Sequence, residues 1–211
     1  MEQRRRRDLL VAGIALAAFP ASGAGKKAKE DQEVSPGEDL MREHGVLNRV
    51  LLVYDEGIRR LESGEDGRLD LLAAAAGLIR GFIEGYHEKL EEEFVFPRFR
   101  KAKKLVELVD TLQAQHEAGR RVTAALLQAP TPQLLRNFAR MYRPHEARED
   151  TELFPAFREL AGEREYRRLG DRFEEREHHL FGEKGFEGKV DEVARIKQAL
   201  GIHDLAQFTP K

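Results

Sequence analysis

The sequence predicts an all-α protein, an up-down-up-down four-helix bundle with extra C-terminal helices. Three observations carry this expectation. Ala, Leu, Glu and Arg dominate the chain and alternating apolar-polar runs are few, a composition that favours helix. Apolar residues recur at three- and four-residue intervals over long stretches. The breaks between those stretches are short, and short connections make neighbouring helices antiparallel.

The elements follow in order. Ser35-Pro36-Gly37-Glu38 reads as a helix start, with Ser35 as N-cap and Pro36 at the first helical position. This first helix should run to about Leu61 and end at Ser63-Gly64. The second should run from about Arg68 to Phe94 or beyond, with Pro97 bending or ending it. The third should span roughly Lys104–Leu127. Ala129-Pro130-Thr131-Pro132 is a break in which Thr131 caps the fourth helix. That helix runs towards Leu153 and stops or bends at Pro155. Residues Glu163–Phe181 form a charged fifth helix, and Phe186–Leu200 a short amphipathic sixth.

The N-terminus differs in character. Arg4–Arg7 precede an apolar run from Leu9 to Phe19, then small residues around Gly23 and Ala24. This is the layout of an export signal, too short for a comfortable membrane span. Arg6-Arg7 gives it a twin-arginine character. The expected organisation is a signal over residues 1–24, a linker over 25–35, the bundle over 36–162 and a helical extension over 163–211. The expected location is therefore periplasmic, or cytoplasmic if the signal is not used.

Composition narrows the chemistry. With 36 basic against 38 acidic residues, well mixed, the chain offers no whole-chain argument for nucleic acid or an anionic membrane. It contains no Cys, so a disulfide, a thiolate metal site and a Cys nucleophile are all excluded. Any metal site must use His, Asp and Glu.

Two segments share one pattern. "HEKLEEEFVFP" from His87 and "HEAREDTELFP" from His145 each place a Glu four residues after a His, and Phe-Pro further on. His87, Glu91, Phe96 and Pro97 recur at the same separation as His145, Glu149, Phe154 and Pro155. In a helix, residues four apart lie about 40° apart in rotation and about 6 Å along the axis, so each His and its Glu project together. Both pairs fall on apolar stripes: Leu72, Ala76, Ile79 and Ile83 before His87, and Leu134, Phe138 and Tyr142 before His145. The first helix adds His44 beside Leu47 and Leu51. The third adds His116 on the stripe of Leu105, Val109 and Leu112. Antiparallel packing brings all of these to about one level.

Burying four His and two Glu dry is costly unless they pair or bind metal. Imidazole and carboxylate without sulfur suit iron, manganese or zinc. Inward Glu and His on bundle helices are a recurrent arrangement for dinuclear centres. The expected ligands are His44, His87, Glu91, His116, His145 and Glu149, with both Glu bridging two ions and about two coordination positions left open for a small ligand.

The pattern resembles the haemerythrin-like, or HHE cation-binding, family. His44 in "LMREHGVLNRV", the two His-Glu-Phe-Pro segments and His116 in "LQAQHEAGRRV" carry the resemblance, from Pro36 to about Leu160. It implies a non-haem di-iron centre of the Fe–O–Fe type, with manganese or zinc as alternatives, that binds or reacts with oxygen, nitric oxide or peroxide. A peroxide-scavenging enzyme of peroxidase or catalase type is the alternative, and iron storage, delivery or iron–sulfur cluster repair a third class. The expected partners are a small ligand and a redox partner, not nucleic acid or a membrane.

One position departs from the family. Oxygen carriers place a second His where this chain has Arg120, and Arg stays protonated and cannot ligate iron. The remaining set of four His and two Glu is similar to that of bacterial cluster-repair proteins. Arg120 is read instead as a holder of an anion. Asp150 rivals Glu149 as the bridging residue, because oxygen carriers use an Asp five residues after the last His; Glu92 is a substitute for Glu91. Tyr142 stands beside the site. Glu88, Glu92 and Glu93 are otherwise expected to form a solvated face. Phe96 and Phe154 should pack below the site while Pro97 and Pro155 end their helices. His178 and His179 favour the C-terminus of the fifth helix, with the sharper expectation that this helix covers the bundle and sends Glu174, Glu177 or His178 to the site.

Overall fold

A computed structural model describes residues 34–210. The segment expected to be an export signal and most of the expected linker lie outside the described residues. Helix α1 is Pro36–Ser63. Ser35 opens it: the Ser35 N–H and hydroxyl both donate to Glu38, at 3.2 and 2.7 Å. Gly64 closes it in the left-handed conformation, φ 74°, with its N–H on the Arg60 carbonyl.

Helix α2 is one continuous rod over residues 69–102. It alternates α-helix (Leu69–Leu78, Glu88–Leu90, Phe96–Ala102) with π-helix (Ile79–His87, Glu91–Val95). Helix α3 is Val106–Gln128. Helix α4 covers residues 132–161, with a π segment at Glu149–Leu153 between Pro132–Arg148 and Phe154–Ala161. Thr131 caps it through its side chain, which accepts from the Leu134 N–H.

Pro97 and Pro155 therefore do not end their helices. Each lies in the first turn of an α segment that resumes after a π turn. The Phe96 N–H reaches back five residues to the Glu91 carbonyl, and Phe154 reaches Glu149 in the same way. The wider turn takes up the proline ring, and a proline in a first helical turn lacks only an N–H that the turn leaves unpaired. The third helix starts two residues later than expected. Lys103 and Leu105 adopt left-handed φ of 55° and 47° to turn the chain, which leaves Leu105 exposed rather than on the core stripe.

The four helices close a square in which each touches its two neighbours. Leu47, Val50, Leu51 and Tyr54 of α1, Leu72, Ile79 and Ile83 of α2, Val109 and Leu112 of α3, and Leu135 and Phe138 of α4 fill it. Helix α5 (Glu163–Phe181) and helix α6 (Gly185–Ala199) lie over α1 and α2. They share one core with the bundle: Leu169, Phe173 and Val193 are fully buried. No helix among the described residues is long and apolar enough to cross a membrane.

Candidate metal centre

All six residues singled out by spacing converge, from all four helices. His44 comes from α1, His87 and Glu91 from α2, His116 from α3, and His145 and Glu149 from α4. None is more than 4% exposed. His44 and His87 form one pair, with ring centroids 4.7 Å apart; His116 and His145 form the other, at 5.0 Å.

The two carboxylates stand between these pairs. Glu149 Oε2 lies 3.3 Å from His44 Nε2, and its Oε1 lies 3.0 Å from His145 Nε2. Glu91 Oε2 lies 3.3 Å from His116 Nε2 and 3.8 Å from His87 Nε2. Each carboxylate thus faces both pairs.

The outward ring nitrogens explain why the inward ones are free. His44 Nδ1 is bonded to Asp150 at 2.8 Å, His87 Nδ1 to Glu43 at 2.6 Å, His116 Nδ1 to Glu92 at 3.2 Å and His145 Nδ1 to Gln115 at 2.9 Å. With Nδ1–H donated outward, a ring that gives up its other proton turns a Nε2 lone pair inward, the tautomer a metal requires. With the rings in that form the centre holds acceptors facing acceptors. All four oxygens of Glu91 and Glu149, and the His116 Nε2, are buried without a hydrogen-bond partner. Orphaned groups of this kind cost about 1–3 kcal/mol each, more when charged, and a cation among them would satisfy every one.

Without a metal the centre compensates its carboxylates with protons: against the cost of burial, Asp150 and Glu149 hold His44 well above its usual range, and Glu91 and Glu92 hold His116 up at about 10. Burial, reinforced by the Glu149 charge, pushes the Glu91 carboxyl up to about 8. Burial opposes the Glu149 charge too, but His145 and His44 outweigh it and hold that carboxylate well below its usual range. Burial and the neighbouring His44 push His87 well down. The ligand set is chemically apt for two first-row metal ions: imidazole nitrogens and shared carboxylates, with no sulfur.

The secondary expectations divide. Asp150 is not inward: it orients His44, and Glu149 occupies the centre. Glu92 likewise orients His116 and accepts from Lys89 and Gln113. Glu88 is not solvated. It is 1% exposed, taking the Tyr142 hydroxyl at 2.7 Å and Arg120 Nη2 at 2.6 Å. Arg120 also pairs with Glu92, so its charge is spent on two carboxylates rather than held for an anion. Glu93 is the member of that trio on the surface, paired with Arg176. Tyr142 does stand beside the site, its ring 5.3 Å from that of His145. Phe96 and Phe154 pack against the site as expected, stacked on His116 and His44. His178 and Glu174 are exposed and do not reach the centre; Glu177 is buried behind Glu43 instead.

Sequence reasoning missed Glu43 and Gln115. Their signal was present: each immediately precedes the His of its own helix and backs the His of the next. Glu92 and Asp150, which immediately follow Glu91 and Glu149, back His116 and His44. Arg120–Glu88 has a counterpart in Asn48–Glu146. The repeat thus extends to the hydrogen bonds behind the ligands.

Comparisons with known proteins agree with this geometry. The family described as the hemerythrin HHE cation binding domain matches residues 35–157. Uncharacterised proteins of Mycobacterium bovis and of two strains of Mycobacterium tuberculosis are each 44% identical over 207 residues, covering 90% of this chain and 81% of theirs. No solved structure matches. The chain is a member of the haemerythrin HHE cation-binding family.

Proposed function

We propose that the protein holds two non-haem iron ions and binds or reacts with a small ligand: oxygen, nitric oxide or peroxide. The observation that carries the reading is the set of four orphaned carboxylate oxygens between two histidine pairs. His44 and His87 would hold one ion, His116 and His145 the other, with Glu91 and Glu149 shared. Bound iron supplies redox equivalents and open coordination positions. The protein's own residues set the conditions around it. Asp150, Glu43, Glu92 and Gln115 fix the four rings. Phe96 and Phe154 wall the rings and exclude water.

A peroxide-consuming activity is the second reading. The Tyr142 hydroxyl on Glu88, beside His145, gives one flank of the site an exchangeable proton, which a turnover reaction requires and simple binding does not. Export rests on the basic and apolar N-terminal segment alone.

Elemental mass spectrometry on protein expressed with added iron tests the reading. The expected result is close to two irons per chain, falling sharply in His145→Ala. No bound metal, or zinc alone at a level the substitution leaves unchanged, would sink it. With iron in place, spectral titrations separate the classes: reversible change with oxygen or nitric oxide indicates binding, and sustained peroxide consumption indicates an enzyme.

A further inference from the structure

We propose a third cation site, formed by Asp39, Glu43 and Glu177 where α5 covers α1. It lies outside the six-residue centre and does not depend on what that centre holds. The three side chains each offer a carboxylate oxygen within 4.8 Å of the others. Glu43 is fully buried and Glu177 is 8% exposed. The Asp39 side chain, 17% exposed, opens the cluster to solvent.

The independent sign of a ligand is on Glu43. Its Oε2 takes His87 Nδ1 at 2.6 Å, but its Oε1 is buried with no hydrogen-bond partner. The Tyr86 hydroxyl lies within reach of Glu43 as well as of the Phe173 carbonyl, to which it donates at 3.2 Å, and its one proton cannot serve both. The cation at the rim does not compensate either. Arg42 stands 3.7 Å from Asp39, shared with Glu187 at 3.8 Å, and lies over the Phe186 ring. A fully buried carboxylate gathered with two others is unfavourable unless a positive charge joins them.

The chain is shaped to put Glu177 there. Its Oε1 accepts the Phe186 N–H at 2.8 Å. Gly185 lets it approach: φ is 38°, and a Cβ on Gly185 would stand 1.9 Å from that oxygen. Any larger residue would push the carboxylate out. Three carboxylates with no nitrogen or sulfur select a hard divalent ion, and the opening at Asp39 leaves room for the waters such an ion keeps. Glu43 would then touch the third cation through one oxygen and orient His87 through the other.

The test uses the iron-loaded protein and Mn²⁺. Electron paramagnetic resonance follows Mn²⁺ binding while elemental analysis counts iron and manganese on the same sample. The expected result is one Mn²⁺ per chain with iron content unchanged, and at least about tenfold weaker Mn²⁺ binding in Asp39→Asn and in Glu177→Gln. Both substitutions keep shape, and Glu177→Gln keeps an acceptor for the Phe186 N–H. Manganese taken up only as iron is lost, or equal Mn²⁺ affinity in both variants, would overturn the proposal. The iron count reports separately on the centre, so failure of one site is not mistaken for failure of the other.

Discussion

At the scale of single residues, the centre is made by what stands behind each ligand. Four histidines turn Nε2 inward because four side-chain oxygens hold their other nitrogens. Space is set as tightly. A Cβ at Gly119 would lie 2.1 Å from the Tyr142 hydroxyl oxygen and 2.8 Å from the ring carbon that carries it. Tyr142 cannot yield, since it is stacked on Phe138 at 4.3 Å and bonded to Glu88. Gly119→Ala is therefore expected to cost about 1–3 kcal/mol, more than the gain in helix propensity returns. Denaturant unfolding of the metal-free protein measures it, and an unchanged or raised midpoint would show that the ring moves freely.

At the scale of elements, the π segments and the last two helices set where the ligands stand. Glu91 and Glu149 each open a π turn and accept from the amide five residues on. The turn adds a residue without breaking the rod, so Phe96 and Phe154 come onto the histidine rings. Helices α5 and α6 are held to the bundle at named points. The Tyr166 hydroxyl takes the Gly37 N–H at 2.8 Å, Tyr86 donates to the Phe173 carbonyl, and Leu169 and Phe173 are fully buried. Removing residues 163–211 would bare Tyr86 and Phe82, at about 1.5–3 kcal/mol for each large apolar side chain lost from or exposed on the core. The truncated chain should unfold well below the full one or fail to stay soluble. A thermal midpoint within a few degrees of the full chain would mean that the bundle stands alone.

At the scale of the whole molecule, the interior carries more carboxylates than the centre uses. Glu84 of α2 is 3% exposed, with Arg80 Nη1 2.8 Å from its Oε2 and Thr123 beside it. Tyr54 has an unpartnered buried hydroxyl nearby. Burial raises the Glu84 carboxyl above its ordinary 4.5, and Glu88 adds to the rise, while Thr123, Arg80 and Arg120 oppose it. A raised value in the folded state gives stability that is complete below about 4.5 and is lost as pH climbs through the folded value. Glu84→Gln cannot ionise. Relative to the natural protein, the variant should therefore gain thermal stability between pH 4.5 and 7.5, both measured metal-free. An equal difference at the two pH values would show that Glu84 titrates normally.

The sequence by itself determined the helical class, the first and fourth caps and the six inward residues. Each of these depends on spacing along one helix, and a repeated His-Glu-Phe-Pro pattern is read without knowing where its neighbours lie. Tertiary structure alone decided the rest. Pro97 and Pro155 look like stops until the π turns before them are seen. Glu88 looks like part of a charged surface until Tyr142 and Arg120 arrive from two other helices. Asp150 and Glu149 are neighbours that differ by about 100° in direction, and only the packed bundle shows which one faces the histidines. Glu43 stands just before His44 in the sequence, but its partners, His87 and Glu177, stand on other helices, so its role shows only in the packed bundle. A side chain's role inside a bundle is fixed by contacts between helices, and those contacts have no period in the sequence.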